Sequence, residues 1–330
     1  MSIKTIAVMI FILLSVGCAK LNEPKIIEKV LQIDHFYDTI GFARDIFLSE
    51  QYLYIAEDQG GFTIYDLETD NLVAHYLGDI ENARLISAVE ERNLLFVYDR
   101  YGSPAQIRTY DISDPADPQV SPPIITSTAG IEDMLCWAGA GETVEVAITR
   151  NDSQYEFRHG SWDGFYYNPI TVYSNFTVTL NGFTLDDENI YLAYEQLGLN
   201  IVDYATGNTL CMVDTPGEAI DVKVVDNLVF IADKHAGFAI IDISNLQAPV
   251  LLSSIDTSGW AQHLDVNGSL LAVASGGGGI YLYDISDPVD PEFLDRVDDQ
   301  DIGYTYRVLF KNDFLYAATK HGVYKIEIDL

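Results

Sequence analysis

Few side chains in this sequence have types and settings suited to chemistry, and His263 heads them. An imidazole there, with an aspartate such as Asp221 nearby, would make a general base, and Arg44 or Arg307 would anchor an anionic or sugar substrate. Each is a single residue, and no catalytic phrase surrounds it: GxSxG and HExxH are absent. Gly276-Gly277-Gly278-Gly279 joins two short apolar runs and no helix follows it, which excludes a phosphate-cradling loop. The acids Asp111/Asp114/Asp117 and Asp284/Asp287/Asp290 have a calcium-like spacing but lack the glycine position and terminal Glu of a calcium loop. They read as turn formers. No CxxC and no His/Cys cluster points to zinc, so neither a metal nor a cofactor is implied.

What positions these residues is a repeat. A strand, a short polar step, a second strand, a loop ending in Gly and a third strand closing on Asp recur, followed by Pro and a fourth strand. Ala219–Pro249 and Ala261–Pro291 are the clearest copies. The closing residues are Asp66, Asp111, Asp203, Asp242 and Asp284, at a period of roughly 40–45 residues. The gap between Asp111 and Asp203 spans two periods and must hold a divergent copy. Its second strand is read at Val144–Ile148, its third at Tyr155–Phe157 and its fourth at Pro169–Tyr173, with Arg158–Asn168 as an enlarged loop. The last unit ends at Leu330 without a fourth strand, and Pro24–Asp34 reads like the missing one. The expected fold is all-β: a seven-bladed propeller of four-stranded blades, closed by the N-terminal strand pairing into the last blade.

In such a ring the first strands line a central channel, and the second-to-third loops share one face with the blade-to-blade connections. The register places Arg44, Asp45, Arg84, Asp133, Asp221, His263 and Arg307 at the channel. It places Asp58, Arg100, Arg150, Glu195, Lys234, His235, Ser275, Lys320 and His321 on the loops of that face. These residues either pair among themselves, Arg44 with Asp45 for example, or form a ligand site. Trp162, Phe165, Tyr166 and Tyr167 in the third-unit insertion form an aromatic cluster. It would stack on a sugar or grip a protein, unless the loop folds onto its own blade.

The phrases Asp111-Ile-Ser-Asp-Pro-Ala-Asp-Pro118, Asp284-Ile-Ser-Asp-Pro-Val-Asp-Pro291, Phe230–Asp242 and Gly41-Phe-Ala-Arg-Asp45 resemble those of LVIVD-repeat propellers of bacterial secreted and surface proteins. The resemblance spans nearly all of residues 24–330 and is weakest at 128–180. It implies the propeller fold and says little of function, because propellers serve as enzymes, binding modules and scaffolds alike.

Met1-Ser-Ile-Lys4 followed by the apolar run Ile6–Val16 has the form of a secretory signal and is too short to span a membrane. Leu14-Ser15-Val16-Gly17-Cys18 resembles a bacterial lipoprotein signal, with Cys18 as the lipidated first mature residue. The usual Leu three residues before the Cys is Ser15 here, which leaves ordinary cleavage after Ala19 open. Domains are accordingly expected at 1–17 (signal peptide), 18–23 (lipidated tether) and 24–330 (propeller). Ala19 in place of Asp would sort the lipoprotein to the outer membrane. Cys136 and Cys211 sit in apolar runs and read as buried thiols.

Lys and Arg total 18 against 50 Asp and Glu, a net charge of −32. That balance argues against nucleic acid and against anionic lipid surfaces as partners. An apolar content of 48% supplies a sizeable core. The expectation is a monomeric, lipid-anchored, non-catalytic module binding or scaffolding a protein at the cell envelope. The alternative is a glycan-binding or glycan-processing protein.

Overall fold

In the computed structural model, described for residues 29–124 and 130–330, seven four-stranded antiparallel sheets stand side by side in a ring. The innermost strands are Asp45–Leu48, Ala83–Val89, Ile131–Ala138, Leu180–Leu185, Asp221–Val225, His263–Asn267 and Thr305–Lys311. They head blades one to seven in that order. Six blades are contiguous in sequence. The seventh takes its outer strand, Leu31–Asp38, from the other end of the chain, paired antiparallel to Gly322–Ile328.

That closure is as expected, but the strand lies further along than the Pro24–Asp34 reading. Residues 24–28, the signal segment 1–17, Cys18 and the 18–23 tether lie outside the described residues. The strand is fixed where Asp295 of blade six accepts the Val30 and Leu31 amides, at 2.8 and 2.7 Å.

The core lies between blades. Each apolar cluster joins two neighbours: Tyr54, Phe62 and Ile64 of blade one pack on Ile86, Leu95 and Tyr110 of blade two. At the closure, Tyr37, Ile46, Leu53, Tyr316 and Val323 do the same for blades seven and one. Strands alternate so that both sheet faces bury side chains, which explains their β-branched and aromatic content.

The turn residues behave as read. Asp111, Asp242 and Asp284 each accept the amide two residues on, at 2.8, 2.8 and 2.7 Å. The recurring loop glycine has a physical cause as well. Gly61, Gly198, Gly237 and Gly279 have φ of 77°, 76°, 78° and 81°, and a Cβ on Gly279 would stand 2.0 Å from the Val297 carbonyl of the fourth strand. Between third and fourth strands every blade carries a register shift, which twists the outer edge away from further pairing.

The third blade departs from expectation. Arg158–Asn168 is no enlarged loop: the strands run Tyr155–Trp162 and Tyr167–Asn175 and pair out to Trp162 and Tyr167. The polar residues of this segment are paired along and across its strands. Arg158 bridges Glu156 at 2.8 Å, and His159 lies 3.0 Å from Glu145 while stacking on Trp137. Trp162 is buried, edge-on to Phe96 of blade two, so it leaves the expected surface cluster. Tyr167 is half-buried and its hydroxyl donates to the Val146 carbonyl. Only Phe165 and Tyr166 are exposed, at the hairpin tip. That tip joins a third to a fourth strand, so it lies on the face opposite the second-to-third loops.

Cys136 is buried and Cys211 half-buried, and both are free thiols. They lie on the first strand of blade three and the fourth strand of blade four.

Candidate functional site

The channel gathers most of the residues expected there. Asp45, Asp133, Asp221, His263 and Arg307 line a central cavity of about 230 Å³, as do Arg44 and Arg84. The aspartates are occupied. The Ile86 amide of blade two donates to Asp45 at 2.8 Å, the Phe183 amide of blade four to Asp133 at 3.1 Å, and the Leu264 amide of blade six to Asp221 at 3.1 Å. Asp265, two residues after His263, accepts the Phe310 amide of blade seven at 2.9 Å. Each carboxylate thus clips its first strand to that of the next blade.

Arg307 balances them. Its Nη1 lies 2.9 Å from Asp45, and the fields of Asp133, Asp221 and Asp265 outweigh its burial, so it stays charged. Burial pushes Asp45 and Asp221 above the ordinary carboxylate range, with Arg307 opposing. Asp133 is pushed up to about 6 by burial, Arg307 again opposing and Asp221 adding. His263 is held well below its usual value by burial and then by Arg307, so its ring is neutral; its Nε2 lies 3.5 Å from Asp221. A neutral imidazole beside a carboxylate has the form of a base. The cavity around it is smaller than the roughly 300 Å³ at which organic ligands are housed.

A second cavity shares two lining residues with the channel. A groove of about 570 Å³ lies on the upper face, the face of the second-to-third loops, between blades one and two. Arg44 and Arg84 line both cavities, and Arg100 joins them in the groove. Arg44 does not pair with Asp45. Its Nε meets Asp58 at 2.7 Å and its guanidinium lies over Tyr306, 4.3 Å from the ring centroid. The loop Asp58 is itself fixed by a 2.9 Å hydrogen bond from the Asn82 side chain. Arg84 and Arg100 make no ion pair with any carboxylate among the described residues, while Arg150 bridges Asp152 and Glu156. Burial, then Arg44 and Arg100, make Arg84 a weaker base than usual.

The remaining expected residues are elsewhere on the same face. Lys234 pairs with Glu218 beneath the exposed Trp260, and Ser275 is bound to Thr257 and to the Ser258 carbonyl. His235 and His321 are exposed and line neither cavity, and Lys320 lies over the Phe42 ring. Sequence reasoning missed Phe42, Tyr101, Gln59 and Asn82, which line the groove. Their only signal was position: Phe42 precedes the Arg44-Asp45 pair and Tyr101 follows Arg100. It also missed the clipping role of the aspartates, although Asp45-Ile, Asp133-Met and Asp221-Val recur at one place in the repeat.

The LVIVD repeat model matches residues 40–67, 216–257 and 258–299. The chain carries LVIVD repeats. The matches fall on the three inner strands of blade one and on blades five and six, where the Gly hairpin and closing Asp are most regular. Among solved structures, the β-propeller domain of Cps50 (Swd1) from Myceliophteria thermophila superposes with a TM-score of 0.71 at 11% identity, covering 91% of this chain and 100% of that one. The computationally designed Ika8 protein superposes at 0.65 with 12% identity and the same coverage. At such identities these likenesses concern the fold alone. No functionally curated protein matches the LVIVD-repeat chain by sequence.

Proposed function

We propose that this LVIVD-repeat propeller is a non-catalytic binding or scaffold module of the bacterial cell envelope, tethered by a lipid on Cys18, with its upper face as working surface. One observation carries the reading. On a chain of net charge −32, two guanidiniums, those of Arg84 and Arg100, stand at an open groove without a carboxylate in contact among the described residues. Exposed rings stand beside them, Tyr101 at 63% and Phe42 at 39%, and Trp260, exposed at 54%, lies on the same face between blades five and six, over Lys234. Arg, Trp and Tyr are the residues on which protein interfaces most often depend. The channel residues support a structural role instead, since their hydrogen bonds run between blades. A glycan is the second reading, favoured by the concavity of the groove.

In-cell cross-linking tests this. Wild type should capture a partner that an Arg84→Ala/Arg100→Ala double variant of unchanged thermal stability does not. Equal capture by both would remove the groove from the working surface.

A further inference from the structure

The geometry points to a uronate, a sugar ring bearing one carboxylate, as the ligand of the groove between blades one and two. The inference rests on the upper face being the binding face and names what binds there. Charge comes first. Three guanidiniums and one carboxylate, Asp58, line the groove, and Asp58 is already shared between Arg44 and Asn82; Glu132, in the adjoining channel, is the other acid whose field reaches Arg84 and Arg100, without an ion pair to either. Arg44 and Arg100 raise the cost of protonating Arg84, and an anion bound among them relieves that repulsion. A planar guanidinium meets a carboxylate through two parallel hydrogen bonds, which a neutral sugar cannot offer.

Shape and lining come next. A volume of about 570 Å³ lies within the usual size range of pockets for small organic ligands. Phe42 and Tyr101 line it and are both exposed, at 39% and 63%; Arg44 and Lys320 lie near the Phe42 ring and Arg100 near that of Tyr101, and the exposed ring surface that remains can meet the C–H side of a pyranose. The side-chain amides of Gln59 and Asn82 supply donors and acceptors for hydroxyls. A bare anion would use the guanidiniums and leave the rings unused.

The net charge narrows the class further. At −32 the protein repels a polyanion approaching as a whole. Within a screening length of about 8 Å the local guanidiniums dominate instead. A ligand with a single carboxylate is therefore favoured over a polymer carrying many.

Calorimetric titration of the whole protein with galacturonate, galactose and acetate tests the inference. Galacturonate should bind, more weakly as salt is raised, while galactose and acetate bind far less. Arg84→Ala should weaken galacturonate binding by about tenfold or more, with an unchanged melting temperature. Arg84→Lys should restore it only in part. Phe42→Ala should weaken galacturonate without altering the response to acetate. Galactose binding as well as galacturonate would overturn the carboxylate, and acetate binding as well would overturn the sugar. Unchanged affinity in Arg84→Ala, or no binding of galacturonate at all, would overturn the site. If galacturonate fails while in-cell capture still depends on Arg84 and Arg100, the ligand class falls and the binding face stands. If both fail, the face falls too.

Discussion

Replacing Asp133 with Asn separates the two things a channel aspartate does. Its oxygens accept the Met134 amide at 2.9 Å and the Phe183 amide of the next blade at 3.1 Å. Asn keeps one acceptor, so the variant should lose about 1 kcal/mol at every pH. The charge acts in the opposite sense. Burial, opposed by Arg307 and reinforced by Asp221, lifts the folded carboxyl from 3.8 to about 6. Between these pH values the unfolded chain releases its proton while the folded chain keeps it. Wild-type stability therefore falls as pH rises through that window and levels off above it. Two units correspond to at most about 3 kcal/mol. Asn does not titrate and escapes this loss. The variant should be less stable than wild type by about 1 kcal/mol near pH 4, and more stable by up to about 2 kcal/mol near pH 7. Urea unfolding followed by tryptophan fluorescence at a series of pH values measures the difference, and subtracting wild type removes the other titrating groups. A difference that stays flat across the window would refute the reasoning.

Three further outcomes follow from the same structure. Leu31→Ala empties a fully buried position between blades six and seven and should cost roughly 2–5 kcal/mol by denaturant unfolding, with deletion of Leu31–Asp38 more damaging still. Gly279→Ala should lower the melting temperature well beyond Gly268→Ala; both have positive φ, but only at Gly279 would a Cβ strike backbone, and at Gly268 it meets nothing. Cys18→Ser should release the protein from the membrane fraction and abolish the lipid mass on the mature chain. A variant that stays with membranes would remove the anchor.

Most of the fold was legible because its turns are chemically specified. Asp-Ile-Ser-Asp-Pro closes a third strand through side-chain hydrogen bonds, and the loop glycine is required by both φ and the approach of the fourth strand. The ring closure was legible because Leu330 leaves a blade one strand short. The third-blade hairpin was not, since Arg158 and His159 look like loop residues until Glu156, on the same strand, and Glu145, on the neighbouring one, are placed beside them. Gly160, inside the segment read as a loop, marks a close approach of strands instead: a Cβ there would fall 2.6 Å from the Asn168 carbonyl. The channel residues were found, but their role depends on which amide of the neighbouring blade faces each carboxylate. That relation lies about one repeat away in sequence, and the recurrence of the aspartate at one place in the repeat marks the position but not the partner. For Arg84, read at the channel, and Arg100, read on an upper-face loop, pairing and a ligand site stood as alternatives; the structure pairs Asp58 with Arg44 and gives neither of them an ion pair among the described residues.

The claim that function sits on the upper face can be tested by placing one photo-cross-linking residue on each face. Tyr101 borders the groove, and Tyr166 caps the third-blade hairpin on the opposite face, exposed at 63% and 70% respectively. With a cross-linker at each position in turn, in cells, the partner should be captured from position 101 and not from position 166. Capture from position 166 alone would contradict the account and move the working surface to the third-blade hairpin.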